Sequence, residues 1–171
     1  MTPADFSSLF DEAHAITCKV VRQVPEAHRE FRPVREMMSA FDLIFHMFSQ
    51  ERAMLVGATT GELRFAEFAV VEQDKAHLKT IENLTRYGEQ VHEQTRSWLS
   101  AASEDEFRKP TKTFLGPSTP EWLLHSALVH MYHHRGQLYV YLRLMGIEPV
   151  FVWTGESMEV IRARMQEPRA D

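Results

Sequence analysis

The chain has 171 residues, 44% of them hydrophobic and 25% charged, which suits one ordinary globular domain with a single closed core. A net charge of −5 argues against a nucleic-acid binder, which carries a basic face, and the lone Cys18 excludes a disulfide framework. No apolar run approaches the roughly 18 residues needed to span a bilayer. The opening "MTPADFSSLF" has no basic signal-peptide region. The expectation is a cytoplasmic protein with no membrane segment and no nucleic-acid partner.

In chain order, residues 5–24 place Phe6, Leu9, Phe10, Ala13, Ile16, Val20 and Val24 on one stripe, which predicts an amphipathic helix ended by Pro25. After a connector, Pro33 suits the first turn of a second helix running to about Gly57. Its main apolar stripe is Val34, Met37, Phe41, Ile44, Phe48 and Leu55, and Leu43, Met47 and Met54 fill a second side. A narrow polar sector remains, holding Ser39, Asp42, His46 and Gln50. From Ala58 to Val70 no period is visible, which predicts a long connection.

A third helix is predicted over Val71–Ala101, its apolar face built from Leu78, Ile81, Leu84, Val91, Trp98 and Leu99. Ser103 suits the cap of a short helical turn, and the Pro and Gly residues of "RKPTKTFLGPST" mark a loop. Thr119 as cap and Pro120 at the first position open a fourth helix that runs to Met145 and stops at Gly146. The tail predicts one short helix from about Glu156, with a frayed end. Strand patterns are nearly absent. The expected fold class is all-α: a four-helix bundle over residues 1–171, with a longer connection between the second and third helices.

The fourth helix contains "LVHMYHHRGQ", three histidines in five positions of an otherwise apolar run. Helices turn about 100° per residue, so His130 and His134 share a face. That H-x-x-x-H spacing lets two imidazoles reach one metal ion from a single helix. His133 lies within an i,i+3 step of His130, so spacing alone leaves it open as an alternative, whereas His125 points elsewhere. An open metal site needs three protein ligands as a rule, and His46, central in the polar sector of the second helix, is the candidate for the third. Metal binding would also relieve the cost of burying unpaired imidazoles. Gln137, Tyr141 and Asp42 are candidates to orient ligands or water around the ion.

Other constellations carry less. Asp11-x-x-His14 and Glu89-x-x-His92 have the form of the Glu-x-x-His pairs of di-iron bundles, yet Asp11 and His14 lie off the apolar stripe and inward carboxylates are missing. Cys18 reads as a packed small residue rather than a nucleophile. No Gly-rich phosphate loop, serine nucleophile elbow or H-E-x-x-H motif is present.

The stretch "HMYHHRGQLYVYLRLMGIEP" resembles the last core helix of the DinB-like family, and "FDLIFHMFSQERAML" resembles its second helix. The order and spacing of helices match over nearly the whole chain. The resemblance implies a bundle in which a divalent metal is held by three histidines, here His46, His130 and His134, in preference to His133. It also implies a homodimer, for which Tyr139, Leu142 and Trp153 would supply apolar surface. The family is similar to bacterial transferases that use bacillithiol, mycothiol or glutathione, and to a thiol-dependent maleylpyruvate isomerase. One departure is Met131, which stands where many relatives carry a glutamate.

The chemistry expected is therefore metal-dependent and directed at a small-molecule substrate, with a thiol S-transferase or a hydrolase as the class. Zinc or nickel suits imidazole best here, iron and copper being the other choices, and a low-molecular-weight thiol is the expected co-reactant. Two readings compete with it: a non-catalytic metal-binding or stress-response bundle with a structural or regulatory ion, and a metal-free core pair of histidines.

Overall fold

Four hydroxyl side chains start the four long helices. Thr2, Ser39, Thr80 and Thr119 accept from the backbone N–H three residues on, at 3.1, 3.0, 3.0 and 3.1 Å, satisfying a donor that the first turn would leave orphaned. The helices are α1 (Pro3–Val21), α2 (Ala40–Thr60), α4 (Ile81–Ala101) and α6 (Pro120–Leu144). The computed structural model describes residues 1–166; the expected frayed end lies outside them.

The remaining elements are short. β1 is Glu62–Leu63, α3 is Ala66–Glu72, α5 is Glu104–Arg108, β2 is Thr111–Thr113, β3 is Gly116–Ser118 and α7 is Met158–Gln166. The fold is mostly helical with one small sheet in the order β1-β2-β3, where β1 runs parallel to β2 and β2 antiparallel to β3. The sequence shows no strand pattern here because two or three residues are too few for an alternation to register. Among the long helices, α2 packs on α6 and α4, and α1 packs on α4 and α6, so the four enclose one core.

Three boundaries differ from expectation: α2 runs to Thr60, past the expected stop at Gly57, and two helix starts move. The second helix begins at Ala40, not Pro33, because Ser39 and Asp42 form a reciprocal capping box; Val34 and Met37 stand exposed in the irregular segment before it. The third long helix begins at Ile81, not Val71. The connection after α2 is long, as expected, but it carries structure of its own: Gly61 caps α2 in the left-handed region (φ 79°), then β1, α3 and a 3-10 turn over Gln73–His77 follow.

The core is filled by Phe6, Phe10, Ile44, Phe45, Phe48, Leu84, Leu128, Met131 and their neighbours. Met131 is fully buried apolar filling. Arg135 is also buried and donates to the Ala13 carbonyl at 3.2 Å, tying α6 to α1. Tyr139 and Leu142, expected as dimer surface, are buried within the chain itself, while Trp153 is 73% exposed. No helix among the described residues is long and apolar enough to cross a membrane.

Candidate metal centre

α2 and α6 lie against each other, and their contact brings three imidazoles together. Nε2 of His130 lies 3.0 Å from Nε2 of His46 and 2.9 Å from Nε2 of His134. All three side chains are half-buried. Their ligand atoms lie close enough together that the group could hold a metal ion, and among the described residues no fourth histidine, cysteine or carboxylate joins it. Nitrogens bound to one ion at about 2.1 Å stand roughly 3.0–3.4 Å apart as neighbouring ligands, close to the spacing seen.

The hydrogen-bond bookkeeping of this cluster does not close with protein atoms alone. Nδ1 of His134 faces the Gln137 oxygen at 2.8 Å, which places a proton on Nδ1 and a lone pair on Nε2. The amide nitrogen of Gln137 faces Nε2 of His133 at 3.2 Å and donates to it. Nδ1 of His130 is buried with no partner, while its Nε2 faces two other ring nitrogens. One proton on that Nε2 can serve only one of them. A cation at the centre would serve all three, so the donor set fits a divalent ion.

Electrostatics point the same way. Burial, reinforced by the neighbouring imidazoles, pushes His130 down to about 3. Burial also lowers His46, with His134 adding to it, and lowers His134 against the opposing bond to Gln137. The rings are therefore neutral at neutral pH, the form in which imidazole ligates metal.

Of the residues expected to surround an ion, only Gln137 touches a ring of the trio. His133 is exposed and engaged by Gln137, and His125 is exposed elsewhere on α6. Asp42 caps α2 and pairs with Arg32 at 3.0 Å and Lys75 at 2.8 Å. Tyr141 donates to the Met38 carbonyl at 2.8 Å. Both thereby shape a cavity of about 330 Å³ that His46, Arg32, Arg35, Asp42 and Lys75 help to line. Cys18 is buried and its thiol is pushed up to about 12, by burial first and Glu89 next; it is a packed residue, as expected.

One expectation is overturned. His14 is only 5% exposed, and Glu51 on α2 is an inward carboxylate at 1% exposure, so the first helix buries a wider arc than its apolar stripe. Glu89, in contrast, lies outside on an ion pair with Arg22. The signal for Glu51 was present: it occupies the step between Phe48 and Leu55 in the apolar series of α2, where a carboxylate has no reason to stand unless it has a buried partner.

A model of the DinB family matches residues 3–164. The chain belongs to the DinB family. The crystal structure of a DinB-like protein from Bacillus subtilis shares its fold at a TM-score of 0.72 and 22% identity, over 88% of this chain and 97% of that one. The crystal structure of a protein assigned to the DinB family from Exiguobacterium sibiricum gives a TM-score of 0.65 and 26% identity, over 83% of this chain and 93% of that one. No curated protein matches the chain at a significant level. In this DinB-family chain the three histidines come from the two elements that the fold packs most closely, α2 and α6.

Proposed function

We propose that His46, His130 and His134 ligate one divalent metal ion and that the protein is a metal-dependent enzyme acting on a small molecule, with a low-molecular-weight thiol as co-reactant. The observation that carries this is the meeting of three Nε2 atoms at 2.9–3.0 Å with no proton arrangement that satisfies them. Zinc or nickel suits the all-imidazole donor set, with iron and copper as alternatives.

A divalent ion on three neutral ligands keeps its charge uncompensated and lowers the pKa of a water or thiol brought to it. The chain supplies the rest. Gln137 holds His134 in the tautomer that aims Nε2 inward. Desolvation keeps the three rings unprotonated. Arg32 and Lys75 are committed to Asp42, whereas Arg35 makes no ion pair among the described residues and lines the same cavity as His46. It is the cation available to an incoming anionic group.

The alternative, a structural or regulatory ion, calls for a closed site with a fourth protein ligand. The three-residue group beside a cavity favours the open, catalytic reading. The same reading includes a homodimer: Val129, Tyr132, Val140 and Leu144 form an exposed apolar stripe on α6, and light scattering on the purified protein tests it.

Metal analysis of untagged protein beside the His134→Ala variant tests the centre. The variant loses one bound ion per chain; equal content in both removes His134 from the site. A turnover screen of metal-loaded protein with several thiols and electrophiles tests the chemistry, and inactivity across a broad panel transfers the case to the structural ion.

A further inference from the structure

A second group of titratable side chains lies on the other side of α2, where α1 and α4 cover it. His92 of α4 spans two carboxylates: its Nε2 lies 2.7 Å from Asp11 of α1, and its Nδ1 lies 3.1 Å from Oε1 of Glu51. His14 of α1 stacks on His92 with ring centroids 4.0 Å apart. Nε2 of His14 faces the Gly88 carbonyl at 3.2 Å. The Glu51 side chain is wholly inaccessible, and its Oε2 is buried with no hydrogen-bond partner.

These contacts turn weakly partnered lone pairs inward, and Oε2 of Glu51 has no partner at all. In the neutral ring, donation to Asp11 puts the proton of His92 on Nε2 and turns the Nδ1 lone pair toward Glu51. Donation to Gly88 puts the proton of His14 on Nε2 and leaves its Nδ1 lone pair facing only the Cys18 thiol, 3.6 Å away, a weak donor that a metal ion displaces. Ring N–H groups anchored on a carboxylate and on a backbone carbonyl are what orient metal-ligating histidines. The lone pair of Nδ1 and the oxygen of Glu51 then face each other at 3.1 Å, which is repulsive unless a cation lies between them.

Charge decides which cation. Among the described residues no lysine or arginine pairs with Asp11 or Glu51; Arg22 goes to Glu89 and Arg52 to Asp74. A proton on His92 sets one positive charge against two carboxylates and leaves Oε2 of Glu51 as it was. A divalent ion balances both carboxylates and gives Oε2 a partner, which matters where burial makes uncompensated charge expensive.

We propose that His14, Glu51 and His92 form a second metal site that takes a divalent first-row transition ion, with Asp11 as the outer anchor of His92. Two imidazoles and one carboxylate are a donor set that zinc and iron(II) both accept, and the ligand atoms of the three residues lie within 4.8 Å of one another. The His14 and His92 rings are 5° from parallel, so ion uptake tilts one of them out of the stack. Asp11, with 42% of its side chain exposed, marks the route from solvent.

The test is a titration of chelator-stripped, untagged protein with cobalt(II) at neutral pH, read by calorimetry and by bound-metal analysis, beside His134→Ala, Glu51→Gln and Asp11→Asn. Two ions per chain are expected in the wild type, and one each in His134→Ala and Glu51→Gln. Asp11→Asn, at the half-exposed edge, is expected to weaken the second ion about 10- to 100-fold without depending on a folded Glu51→Gln. A single ion in the wild type that survives both Glu51→Gln and Asp11→Asn with unchanged affinity overturns the proposal, His92 then holding a proton alone. A single ion lost in Glu51→Gln but kept in His134→Ala sustains this site and overturns the three-histidine centre instead.

Discussion

The side-chain oxygen of Gln137 accepts from Nδ1 of His134 at 2.8 Å, three residues back on the same helix. The same amide reaches His133 from its other end. Gln137 thus holds His134 in the tautomer whose free nitrogen points at His130.

Replacing Gln137 by Leu keeps the helix but frees the His134 ring. Losing the partner behind a metal-ligating histidine costs about 10- to 100-fold in affinity. Competition with a chromophoric chelator should show that loss with stoichiometry unchanged. Unaltered affinity would mean that Gln137 does not orient the ligand.

Gly88 lets α4 close on α2: a Cβ there would stand 2.7 Å from the Phe48 ring. Gly88→Ala gains up to about 1 kcal/mol of helix propensity, but overpacking costs about 1–3 kcal/mol, so net destabilisation is expected. Urea unfolding checks it. A more stable variant would show that the Phe48 ring moves aside freely.

Asp42 makes part of the stability acid-sensitive. Burial raises its pKa, but the bonds from Lys75 and Ser39 outweigh burial and hold the carboxyl below 3.8. A folded pKa below the unfolded one means a stabilising contribution that is complete above the unfolded value. It is lost as pH falls through the folded one. Asp42→Ala should cost about 1 kcal/mol at pH 7, and the gap to wild type should narrow as the solution is taken down to about pH 3. Denaturant midpoints at the two pH values measure it, and a constant gap would refute the account.

Tyr141 anchors the segment before α2 through the Met38 carbonyl, 2.8 Å from its hydroxyl. Tyr141→Phe should cost about 1 kcal/mol and speed hydrogen exchange over residues 32–38, with the bound-metal content kept. Unchanged exchange there would place the hold on that segment elsewhere.

What could be read from the chain follows the range of each interaction. The pairing of His130 with His134 rests on helical repeat, a property of a few consecutive residues, and the caps at Thr119 and Ser103 are equally local. The start of α2 was misplaced because Pro33 and Ser39 are both plausible beginnings. The choice falls to Ser39 through its reciprocal bonds with Asp42 and the ties of Asp42 to Arg32 and Lys75. Spacing left His133 and His134 as rivals; it took the amide of Gln137 and the position of α2 to separate them.

By itself the sequence determined the helical character of the protein, the four long amphipathic segments and the stacking of two histidines on one of them, because these depend on periodicity and capping within single turns. Only the tertiary structure decided that His46 meets that pair, that His14, Glu51 and His92 share one inward cluster with Asp11 at its edge, and that Tyr139 and Leu142 belong inside. Those outcomes depend on which helix faces are pressed together by burial of apolar surface. That force is non-directional, and its result cannot be assigned to any one stretch of chain.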